Sequence, residues 1–106
     1  MGGHLSDLEQ LMLLAILQVE GGTHGAAIQE RLAEDAGRTL TIGTIYNTLL
    51  RLEERGLVTS AKGAPTPKRG GKARRLYSVT DQGVEALQHT RAIYDRMWGK
   101  AAFEGR

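Results

Sequence analysis

From Leu8 onward, Leu8, Leu11, Met12, Ala15, Ile16 and Val19 recur at three- and four-residue intervals, behind a Ser6-Asp7-Leu8-Glu9 stretch with capping-box spacing. The pattern predicts a first helix over about 7–19, stopped by Gly21-Gly22. Leu13, Leu14 and Leu17 are apolar as well, so this helix offers more greasy surface than one small domain needs to bury. A subunit interface would account for the excess. Thr23 is the expected N-cap of a second, amphipathic helix over about 24–36, with Ile28 and Leu32 inward and Gly37 at its end.

Thr41 is placed to cap a third helix that runs to Arg55, with Gly56 where a left-handed residue ends it. At 100° per residue, Ile42, Ile45, Leu49 and Leu52 share an arc of roughly 80°, while Gly43, Thr44, Asn47, Thr48 and Arg51 share another of roughly 140°. One face is core and the other is small and polar. The polar face has no acid before Glu53 and Glu54 near its far end.

The period then shifts to strands: Leu57-Val58-Thr59-Ser60 and Arg75-Leu76-Tyr77-Ser78-Val79 flank a segment punctuated by Gly63, Pro65, Pro67, Gly70 and Gly71. That composition excludes helix and fits a hairpin with a long tip. Thr80 is placed to cap a last helix from about 81 to at least 98. Along it run two stripes, Ala86, Ile93, Met97 and Leu87, Tyr94, Trp98, Ala101, which a single chain has no further element to cover. The expected fold class is mainly α with a small antiparallel β-ribbon (α+β). In domain terms, a winged helix-turn-helix over 1–79 is followed by a C-terminal dimerisation helix over 80–106 in the same compact unit.

Composition narrows the function. A chain of 106 residues is one domain's worth, and with no cysteine it excludes disulfides, thiolate metal sites and cysteine nucleophiles. The longest apolar run, Leu11 to Leu17, is too short for a membrane span, so the expectation is a cytoplasmic protein with no membrane partner. Asp81, Glu85 and His89 align on one helical face, but a solvated acidic stripe explains them better than a metal. His4, His24 and His89 have no motif partners, and no phosphate-binding glycine loop precedes a helix, so neither an enzyme nor a cofactor is expected.

The net charge of +2 is unevenly placed. Residues 1–61 hold four basic and eight acidic side chains, and residues 76–106 hold four of each. Residues 62–75 carry Lys62, Lys68, Arg69, Lys72, Arg74 and Arg75 and no acid. Such local cation density suits a polyanion, because each phosphate neutralised releases condensed counterions. Beside it lies a helix whose outward face is small and, in its N-terminal half, free of acids, of the kind that enters a major groove.

Two blocks in the chain, Thr44-Ile45-Tyr46-x-x-Leu49-x-Arg51-Leu52-Glu53-x-x-Gly56-Leu57-Val58 and Gly70-Gly71-Lys72-x-Arg74-Arg75-x-Tyr77-x-Val79-Thr80-x-x-Gly83, resemble the PadR family of bacterial transcriptional regulators. The likeness extends through Leu11–Leu17, and the length is similar to that of the short group with one C-terminal helix. It implies a homodimer built on the last helix, usually a repressor, in some members released by small molecules. His24 stands where many members have another aromatic residue, and Asn47 where proline is frequent. Asn47 is able to pair with adenine.

The candidate DNA-binding residues are therefore Thr44, Asn47, Thr48 and Arg51 at base edges, Tyr46 on the flank between the two arcs, placed either to donate to a phosphate or simply to pack, and Lys72, Arg74 and Arg75 on the ribbon. The expected DNA partner is a pseudo-palindromic double-stranded operator, read in successive major grooves about 34 Å apart. Leu87, Tyr94, Met97 and Trp98 are the candidates for the dimer interface or for a small hydrophobic or aromatic effector; by register, the resemblance matches Tyr94 to the aromatic that faces its symmetry mate in drug-sensing members. The alternatives are a winged-helix protein-protein interaction module, or a ligand carrier or incidental catalyst using the aromatic cavity.

Overall fold

The computed structural model describes residues 4–63 and 75–103. Four helices, α1 (Asp7–Leu17), α2 (Gly25–Ala36), α3 (Ile42–Glu54) and α4 (Asp81–Lys100), are joined by an antiparallel pair, β1 (Val58–Lys62) and β2 (Arg75–Val79). The capping box is formed: Glu9 N–H donates to Ser6 Oγ (3.1 Å) and Ser6 N–H to Glu9 Oε1 (2.8 Å). Helix α1 stops at Leu17, two residues earlier than its periodicity implies. Gln18 and Val19 instead donate to carbonyls three residues back, tightening the chain into turns.

Thr23 does not cap α2. Its backbone exchanges two hydrogen bonds with Tyr77 (3.1 and 2.7 Å), adding an isolated bridge to the ribbon's inner edge. The helix starts one residue later, where the His24 side chain accepts from Ala27 N–H (3.4 Å). Thr41 caps α3 as expected, and Arg55 is the C-cap rather than a helical residue, followed by Gly56 at φ 77°. Position 56 needs that left-handed geometry to turn the chain from α3 into β1.

Met12, Leu13 and Ile16 from α1, Ile28 and Leu32 from α2, and Ile45, Leu49 and Leu52 from α3 form one core, closed by Leu57, Val58, Tyr77 and Ala86. Ile42 is 41% exposed, a correction to the predicted inner arc: it sits at that arc's edge, in the first turn of α3. Leu14 and Leu17 are also exposed, so α1 is buried on one side only within a single chain. Helix α4 docks through its first turns, burying Gly83 and Ala86, and every residue from Arg91 to Phe103 is exposed.

The two ends of the helical layer are tied by charge. Arg55 Nη1 donates to buried Glu9 Oε2 (3.0 Å) and its Nη2 to the His4 carbonyl (3.0 Å). Burial alone would raise the Glu9 pKa, but the Ser6 N–H and the Arg55 guanidinium outweigh it and hold the carboxyl below its usual range. A depressed folded pKa contributes stability that is present above the unfolded value, about 4.3, and is lost as pH falls through the lower folded value. Glu9→Gln should therefore cost about 1–3 kcal/mol near neutral pH, because a charge-assisted bond is lost while Arg55 is rehydrated in part. Urea titrations from pH 7 to pH 3 should show that gap closing as pH falls below about 4. A gap independent of pH would rule the pair out as its source.

Candidate nucleic-acid interface

Helices α2 and α3 are held at a fixed angle by the turn between them. Gln29 Nε2 donates across it to the Leu40 carbonyl (2.8 Å). At the mouth of α3, the Thr41 hydroxyl accepts from Thr44 N–H (3.1 Å) and pairs with the Thr44 hydroxyl (3.0 Å), so half-buried Thr44 is held at the first turn. Asn47 and Arg51 are exposed on the outward side.

Thr48 departs from the predicted outward face. It is 1% exposed, and its hydroxyl donates to the Thr44 carbonyl (2.9 Å) and accepts from Arg51 Nη2 (3.5 Å). A threonine this small fits the core once its own helix satisfies the hydroxyl, so it hydrogen-bonds Arg51 instead of facing outward. Leu50 is the reverse case, an apolar side chain left 56% exposed on the outward side.

Tyr46 is also exposed, and its phenol end lies over the first residue of α2. A β-carbon at Gly25 would fall 2.6 Å from Tyr46 Cζ and 2.7 Å from Oη. Only glycine allows the ring to seat there, which ties the outer flank of α3 to the start of α2. Glu53, one of the two acids near the end of α3, accepts from Ser60 Oγ on the ribbon (2.8 Å), which occupies its carboxylate away from the outward arc.

In the ribbon the register pairs Val58 with Val79, Ser60 with Tyr77 and Lys62 with Arg75. Tyr77 points inward and is buried, and burial pushes its phenol pKa up, so it stays neutral. Lys62 and Arg75 stand on the same face two residues further out, exposed, with no acidic partner among the described residues. Like charges directly opposite each other repel, a cost that an anion between them would remove. Lys72 and Arg74 lie outside the described residues.

Away from α3, a groove of about 500 Å³ runs between α1 and α4, with Leu14, Leu17, Leu87 and Tyr94 in its walls. Met97 and Trp98 border a smaller hollow of about 230 Å³ nearer the end of α4, where the Phe103 ring stacks on Trp98 with centroids 5.6 Å apart. Tyr94 lines both. Phe103 was not among the sequence candidates; it lies after the helix, beyond the reach of periodicity. Asp81, Glu85 and His89 do not form a metal-holding group, and no helix among the described residues is long and apolar enough to cross a membrane.

Comparison with known proteins places this geometry. A sequence profile of the transcriptional regulator PadR-like family matches residues 13–89. A transcriptional regulator of Mycobacterium tuberculosis is 35% identical over 74 residues, which are 70% of this chain and 64% of that protein, so the match spans slightly less than two thirds of the relative's length. Among solved structures, a PadR family transcriptional regulator from Eggerthella lenta superposes with a TM-score of 0.67 at 28% identity, covering 85% of this chain and 76% of its own. A PadR-like transcriptional regulator from Bacillus cereus gives 0.70 at 25% identity, covering 87% and 84%.

Proposed function

The chain belongs to the PadR-like family of transcriptional regulators and is a DNA-binding regulator rather than an enzyme, and from that premise we propose that it is a homodimeric repressor released by a small apolar effector. The observation that carries the dimer is the uncovered distal half of α4, where Tyr94, in the groove with Leu14 and Leu17 of α1, is 53% exposed and Trp98 one turn on is 64% exposed. Apolar surface of this extent on one face is the mark of an interface. Two copies joined there would present two α3 helices to a pseudo-palindromic operator. In each copy Asn47 and Arg51, with Thr44 beside them, face base edges, Tyr46 flanks them, and Arg75, with Lys72 and Arg74, holds phosphates. The effector reading rests on the groove beside Tyr94, whose volume lies within the range of small-molecule sites.

Mobility shifts on duplex DNA from upstream of the protein's own gene, combined with sedimentation, test this directly. Expected are two chains per duplex and an affinity that falls steeply as salt rises. Binding by a single chain would overturn the dimer, and affinity indifferent to salt would overturn the phosphate contacts. Flat aromatic compounds should quench Trp98 and release the DNA; quenching without release would remove the effector from the regulatory reading.

A further inference from the structure

The outward face of α3 carries an apolar side chain near its centre, Leu50. Gly43, Asn47 and Leu50 fall within roughly 60° of one another on the helical wheel. Leu50 is more than half exposed, and a β-carbon built at Gly43 meets nothing nearer than Thr41 Oγ1 at 3.9 Å, so the backbone beside the leucine is bare. Core packing does not use this leucine, and no hydrogen-bonding role suits it. Arg51 follows it on the same helix, and the acids of α3, Glu53 and Glu54, come only in the last turn, with Glu53 accepting from Ser60 Oγ. A partner that meets the N-terminal part of this face therefore meets no acid there and offers one apolar group opposite the leucine. In a major groove that group is the 5-methyl of thymine.

We propose that Leu50 is a specificity-determining residue that packs on a thymine methyl, next to a base pair whose adenine Asn47 reads, so that each half-site carries A·T pairs at these positions. This rests on the groove-reading role of α3. Asn47 alone selects adenine through hydrogen bonds, and Leu50 adds a discrimination that hydrogen bonds do not supply: thymine against cytosine, by one methyl group. Gly43 serves the same approach, because a side chain there would hold the helix away from the base edges.

The test uses the full chain. Duplexes are first selected from a random pool, and each thymine in the selected site is then replaced by uracil, which removes only the methyl. At one thymine per half-site, uracil should weaken wild-type binding about fourfold per methyl lost, the worth of one buried carbon. Leu50→Ala, a surface change whose folding is checked by circular dichroism, should bind thymine and uracil duplexes equally. The proposal is overturned if selected sites lack a shared thymine, or if Leu50→Ala responds to uracil as the wild type does. Selection that enriches no duplex at all would overturn the groove-reading role itself, a distinct outcome.

Discussion

Gly83→Ala should lower the melting temperature by roughly 10–20 °C, through a loss of about 2–3 kcal/mol from overpacking. The first turn of α4 is bolted to the chain that leaves α3. Thr80 N–H donates to the Leu57 carbonyl (3.0 Å), Thr80 Oγ1 donates to the Gly56 carbonyl (2.7 Å), and Gly83 N–H closes the cap on Thr80 Oγ1 (3.1 Å). Gly83 thereby lies directly on Leu57, the residue before β1. A methyl there would fall onto the Leu57 carbonyl oxygen and within 2.6 Å of Val79 Cγ1. The carbonyl belongs to backbone that the Thr80 bond already fixes, so the helix must shift instead. Calorimetry of the two proteins measures the loss, and Gly99→Ala is the control. Nothing lies within 4 Å of a β-carbon at Gly99, so alanine there should be neutral or stabilising by up to about 1 kcal/mol. Equal melting temperatures for Gly83→Ala and wild type would mean that α4 is not seated on this carbonyl. Because α4 also carries Tyr94 and Trp98, a shifted α4 should weaken the proposed dimer along with stability.

The largest effect on DNA affinity should come from the cations of residues 62–75. Replacing Lys72, Arg74 and Arg75 with glutamine removes up to three of the proposed phosphate contacts per chain. In a dimer the salt dependence should then become shallower by about five logarithmic units of affinity per unit of log salt, and affinity near physiological salt should fall by roughly three to four orders of magnitude. Fluorescence anisotropy across a salt series reads both quantities. Non-specific and selected duplexes should lose affinity alike, because phosphates carry no sequence information. By contrast, Asn47→Ala should cost about 1–3 kcal/mol on a selected site while leaving the salt slope unchanged. A triple variant that keeps the wild-type slope would move the phosphate contacts elsewhere on the molecule.

Placement of the cations was legible because charge needs no fold to be counted: fourteen consecutive residues with six bases and no acid stand out in any conformation. The start of α3 was equally legible, since Thr41 acts on amides only three residues away. The start of α2 was not. Thr23 and His24 can both accept a bond from a free helix N–H, and what decides between them is a long-range bridge to Tyr77, fifty-four positions along the chain. The pairing of Arg55 with Glu9 is of the same kind, a contact across forty-six positions that no local pattern announces.

The chain's own order of residues determined the element sequence, the acid-free first turns of the α3 face and the basic segment between the two strands, because capping, periodicity and charge are local and additive. Only the tertiary structure decided which side chains on α3 are offered outward. Helical period fixes the angle between Thr48 and Leu50, but the direction from which α1, α2 and the ribbon pack decides which angle is inside. Thr48 went into the core, where its own helix satisfies its hydroxyl, and Leu50 was left in water. The same packing covers α4 only as far as its first turns, so the aromatic half beyond Arg91 is exposed in the single chain.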